Sequence, residues 1–307
     1  RRYVHYEQTI PNSTTRLTKS GNYVLKVYKE GEPDQVIFTK RFYCIDKKAE
    51  ISALVMQARE PSLRNNSQEV DVRVFSTSGL SFDNPRERIK LSIQQNGRTD
   101  NQRFLPLSED KGVELVFNFR KENIFDGGNI FRTFDFTSLR QRSNFVENID
   151  YIGGENIVRL RIEELKARSP FVSQNDLRGM YHIRNEFDDN ASLCSDYAWV
   201  YFYLPMPLSL EGNYYVIGDL TDWRFSEQNK FVFDNTLNQY VLRLLLKQGY
   251  YNYQILYLPY GHTQGSYREV EGNHSEAKNR YNLFLYYREP GNDYDSFIGY
   301  STSEYQY

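Results

Sequence analysis

The 307-residue chain holds only two cysteines and four histidines. Cys44 and Cys194 lie far apart in the sequence. They are too sparse for a disulfide framework and read as two small buried hydrophobes. His5, His182, His262 and His274 follow no ligand spacing, with neither HExxH nor HxH, so no metal or cofactor site is expected. No stretch reaches the ~18 apolar residues of a membrane helix. Charge of one sign is missing too: 38 Lys plus Arg face 40 Asp plus Glu. That balance provides no long-range field for nucleic acid or an anionic membrane. The opening RRYVHYEQTI has neither Met nor an apolar leader region and reads as a trimmed or partial product.

Aromatics, by contrast, are abundant at 16% of the chain, led by 26 Tyr and 20 Phe. Large flat side chains pack well on pleated surfaces, so the chain is expected to be all-β. Its length suits two or three domains. Residues 1–46 contain an alternating hairpin, SGNYVLKVYKEGEPDQVIFTKRFYCI, which on its own is too little for a stable sheet. It reads as the C-terminal part of a first β domain. From residue 47 to 177, ISALVMQ, QEVDVRVFS, RIKLSIQQ, VELVFNF, NIFRTFDF and NIVRLRIEE give short strands separated by turns, Asn96-Gly97 among them. Residues 178–307 add seven more: DYAWVYFYLP, NYYVIGDL, NKFVFD, QYVLRLLL, GYYNYQILYL, RYNLFLYYR and SFIGYS. Strands at this spacing without intervening helical patterns argue for antiparallel sandwiches, and seven in about 120 residues is an immunoglobulin-like count. The expected fold is therefore tandem immunoglobulin-like, early-set β-sandwiches behind an incomplete N-terminal β unit.

A search for chemistry finds none. Gly79-Leu-Ser81-Phe-Asp83 lacks the second Gly of a nucleophile elbow and its strand–turn–helix setting. Gly127-Gly128 feeds a strand, whereas a phosphate loop feeds a helix, so a bulge or tight turn is the reading. Asp293 and Asp295 lack the further oxygen ligands of a calcium loop. The chain is expected not to be an enzyme.

What remains is surface. VIGDLTDWRF ends a strand in a polar turn that carries Trp223, in the manner of sugar-binding sandwiches. In GYYNYQILYLPY, Tyr251, Tyr253, Ile255 and Tyr257 share one strand face. Trp223, Tyr251 and Tyr253 are the candidate ligand or partner contacts, weighed against plain cross-strand aromatic packing. Trp199 sits in a strand so apolar that burial is expected.

Several unusual motifs occur together and in order: RLTKSGNYVLKVY, QNGRTDN, FDGGNIFRTFDFTSLR, SDYAWVYFYLP, GDLTDW, LLKQGYYNYQ, EGNHSEAKNRYNLFLYYR and DSFIGY. Over nearly the whole chain this run resembles the type IX secretion system plug protein family. Its departures, Thr99 and Ile130, fall in turns or strand ends. The last domain also resembles early-set immunoglobulin-like glycogen-binding modules. The first resemblance implies a non-enzymatic periplasmic protein associated with the outer membrane but not inserted in it. Such a protein binds the translocon β-barrel and closes its periplasmic opening. It carries over no catalytic, metal or cofactor residues. The second resemblance supports the alternative, a carbohydrate-binding β-sandwich protein with a glycan as partner.

Overall fold

Alternation in the first motif produces a hairpin of β1 (Gly21–Lys29) and β2 (Glu32–Cys44), paired antiparallel from Gly21↔Cys44 to Lys29↔Glu32. The computed structural model describes residues 4–77, 79–187 and 190–305. Two strands are marginal alone, and this pair leans on its neighbours. The Tyr43 ring packs 5.1 Å from that of Phe284, and the Tyr286 hydroxyl donates to Asn22 Oδ1 at 2.8 Å. Lys40 also reaches Asp222 in an exposed ion pair.

Seven strands follow: β3 (Ala49–Gln57), β4 (Ser67–Ser76), β5 (Ile89–Gln95), β6 (Arg103–Leu105), β7 (Glu109–Asp110), β8 (Glu114–Phe117) and β9 (Ile124–Asp126). The chain then leaves this unit for β10 (Arg132–Asp135), β11 (Val146–Ile152), β12 (Glu155–Leu160), β13 (Tyr181–Ile183), β14 (Tyr197–Leu204), β15 (Gly212–Ile217), β16 (Val232–Asp234), β17 (Gln239–Lys247) and β18 (Gly249–Pro259). It returns at the end through β19 (Arg280–Tyr287) and β20 (Ser296–Glu304), which pair with β5.

Four sheets thus make two sandwiches. In the first, β3-β4-β8-β7, with β9 also on β4, faces β20-β19-β5-β6. Val70, Val72, Val74, Leu91, Ile93, Phe117, Leu283 and Leu285 fill the space between them. In the second, β11-β12-β14-β17-β16 faces β10-β18-β13, where β15 pairs with β18. Val158, Val200, Phe202, Phe134, Tyr251, Tyr253 and Ile255 form that core.

The pairing crosses the expected division at 177/178 in both directions. Strands β10 to β12 belong with later partners, and β19 and β20 with earlier ones. One pair, β12 with β14, is parallel, because the chain passes through β13 on the opposite sheet between them. Local strand pattern cannot encode such long-range pairing. Both cysteines are free thiols, and Cys194 is exposed where burial was expected.

Candidate functional site

Four of the distinctive sequence motifs meet where the sandwiches touch. The β5–β6 turn supplies Asn96, Gly97 and Arg98; the two chain crossings supply Gly127 to Asn129 and Glu271 to Asn279; the turn after β15 supplies Trp223. Trp223 packs edge-on to Phe131, ring centroids 6.0 Å apart, within a small buried cluster of Tyr215, Ile217, Leu256 and Tyr267. Asn96 takes the left-handed conformation that the turn needs, at φ 54°. Gly97 is there for space. A Cβ on it would sit 2.3 Å from the indole Nε1, while one on Gly179 would sit 2.3 Å from the far edge of the same ring. The indole is clamped between a glycine of each sandwich.

Most polar groups buried beside it are paired, as burial demands, Asn101 Oδ1 and His274 Nε2 being exceptions. Arg98, 1% exposed, donates from Nε to Asp100 at 3.0 Å and from Nη2 to the Gly265 carbonyl at 2.9 Å. Burial opposes its charge, yet Tyr267 and Asp100 hold its pKa above the ordinary value. Asn96 donates to Asn279 at 2.9 Å, and Gln68 donates to the carbonyls of Ser275 and Ala277. Arg132 Nε meets Glu271 at 2.9 Å, and that carboxylate also accepts the Ile255 amide at 2.8 Å. Gly127-Gly128 marks the contact of the two crossings. A Cβ on Gly127 would lie 2.0 Å from the His274 carbonyl oxygen, and the Gly128 amide donates to Asn273. The double glycine serves close backbone approach of the two crossings.

The three candidate contact residues all turn inward. Trp223 is 8% exposed, Tyr251 2% and Tyr253 5%. Tyr251 stacks on Phe134 at 5.1 Å and donates its hydroxyl to the Lys247 carbonyl; desolvation raises its pKa and that of Tyr253. Both faces of β18 are covered, one by the sandwich core and the other by the junction, so neither tyrosine presents a ring to a ligand. Asp295 is engaged by Lys90 and Arg288, and no metal-ligand cluster exists among the described residues.

A row of one exposed and three half-buried aromatics lies elsewhere. Along β14, Ala198, Val200, Phe202 and Leu204 point into the core, which sends Tyr197, Trp199, Tyr201 and Tyr203 outward. Trp199 is thus half-buried on the outer face, contrary to expectation: a strand apolar on both sides still obeys its two-residue period. Its Nε1 donates to Glu155 at 3.0 Å. Cations from flanking strands cover these rings. Arg243 lies 4.9 Å from the Trp199 centroid, Lys247 5.6 Å from Tyr197 and Arg159 5.8 Å from Tyr201. A cleft of about 1130 Å³ opens at the end of this face, lined by Tyr151, Asn156, Tyr197, Trp199, Leu245 and Lys247 among others. The signal for it was present in YAWVYFYL as an aromatic at every second position.

Comparison with known proteins now adds a family. Residues 1–46 match the model of the type 9 secretion system plug protein 1st domain. Over these residues the chain is similar to that domain. The match bears out the resemblance to the plug protein family and links the chain to type IX secretion. A crystal structure of a hypothetical protein from Parabacteroides merdae is similar over 96% of this chain and 75% of that one, at 29% identity and a TM-score of 0.93. No curated protein matches the chain. The plug family is a secretion component rather than an enzyme family. No helix among the described residues is long and apolar enough to cross a membrane.

Proposed function

We propose that this protein is a non-enzymatic periplasmic plug that binds the outer-membrane type IX translocon barrel and closes its periplasmic opening when no cargo fills it. The match of residues 1–46 to the plug first domain carries this reading. The junction supports it physically. A pore wide enough for folded cargo needs a cover that does not flex, and an interface of clamped indole and hydrogen-bonded buried side chains resists hinge motion. The hairpin reinforces the block by touching the first sandwich through Tyr43 and the second through Lys40.

The glycan alternative rested on rings that are buried, and a pyranose needs an exposed ring face. A crosslinking pull-down from cell envelopes with the full-length protein separates the readings. Recovery of the translocon barrel supports the plug; retention on a glycan array without any barrel partner overturns it.

A further inference from the structure

We infer that the outer face of β11-β12-β14-β17-β16 is the surface that seats against the barrel, with carboxylates on the partner's periplasmic turns meeting Arg243 and Lys247. The inference rests on the plug reading and adds the docking face to it.

Composition is the first argument. Tyr197, Trp199, Tyr201 and Tyr203 point outward side by side on the central strand β14, flanked by Arg159 of β12 and Arg243 of β17. Tyr, Trp and Arg are the residue types that dominate binding hot spots, since each brings a large contact area with a polar handle. Val232 on the edge strand and Leu245 beside Trp199 add exposed apolar surface.

Charge is the second. Arg159 is neutralised by Asp150, and Lys230 by Glu227. Arg243 and Lys247 have no carboxylate partner among the described residues: Arg243 rests on the Trp199 ring, and Lys247 lies over Tyr197 with its Nζ donating to the Ser192 carbonyl. A cation held over a ring is preorganised, so its pairing with a partner carboxylate costs little side-chain entropy. Two such cations among four rings therefore fit an acidic protein surface.

Size is the third. Five strands at ~4.8 Å spacing and eight residues at ~3.3 Å rise give roughly 600 Å² of face. A stable interface takes about 800 Å² per partner. The loops at its ends, with Tyr151 on one side and the 234–238 turn on the other, must share the contact.

Photo-crosslinking in cells carrying the full translocon tests this. Benzoylphenylalanine replaces Val232 on this face or, separately, Phe104 on the first sandwich; both positions are exposed. The expected product is a crosslink from position 232 to an outer-membrane barrel identified by mass spectrometry, and none from position 104. Combining R243E and K247E should reduce that crosslink at least tenfold, with the melting temperature of the purified double variant within a few degrees of wild type. A barrel crosslink from position 104 alone overturns the docking face and leaves the plug reading standing. No barrel crosslink from either position overturns both. An undiminished crosslink in the double variant overturns the role of the two cations.

Discussion

Replacing Trp223 by alanine removes the ring that the two glycines enclose. Aromatic-to-alanine changes in well-packed sites cost about 3–5 kcal/mol, and this indole is 8% exposed with Phe131 edge-on to it. At about 2 °C per kcal/mol for a chain of this size, the melting temperature should fall by roughly 6–10 °C. The converse change, Gly97→Ala, places a methyl 2.3 Å from the indole nitrogen. Overpacking of that kind costs about 1–3 kcal/mol. The two changes must then be coupled, because without the indole the methyl has room. Urea denaturation of both single variants and the double should show the pair costing less than the sum by on the order of 1–3 kcal/mol. In a Trp199→Phe background the emission of Trp223 should be blue-shifted and resist acrylamide quenching. Additive costs, or a readily quenched Trp223, would refute the clamped junction.

Other perturbations follow from the same geometry. Glu271→Gln removes the fully buried carboxylate partner of Arg132, leaving the guanidinium with Glu163 at 3.3 Å, and should cost about 1–3 kcal/mol by urea denaturation, whereas a loss below about 1 would mean that the pair is wet. Lys40→Ala breaks a pair in which both side chains are more than half exposed; its effect on stability should stay below about 1 kcal/mol. Burial raises the Glu163 carboxyl above its ordinary 4.5, against the pull of Arg132. The native state then holds that proton more tightly than the unfolded chain, so this group's contribution declines as pH climbs from 4.5 through the raised value. Glu163→Gln should flatten the stability–pH curve over that window, and an unchanged slope would assign it to other groups.

The strands were legible where period and turn chemistry agree. The β1–β2 hairpin, β17 and β18 fall within a few residues of the quoted segments because alternation or unbroken apolar runs end in Gly, Pro or Asn turns. Short elements such as β6, β7 and β13 were not legible, since two or three residues carry no period. The exchange of strands between sandwiches was hidden for a deeper reason: β10 pairs with β18 and β5 with β19 across more than a hundred residues. Tyr251 and Tyr253 lie on the core face of β18, and the other face is closed as well, because Asn252 and Gln254 on it are sealed by Thr133 and Asn129. Buried polar residues of this sort look like surface in a sequence. Only the distinctive motifs hinted at them, since QNGRTDN, FDGGN, GDLTDW and EGNHSEAKN are all junction segments.

Envelope permeability tests the central claim most directly. Deleting the gene in a strain with an intact translocon should admit antibiotics too large for porins, and the wild-type protein supplied on a plasmid should restore the barrier. If the deletion strain is as tight as its parent while the translocon is present at normal level, the protein does not plug that pore.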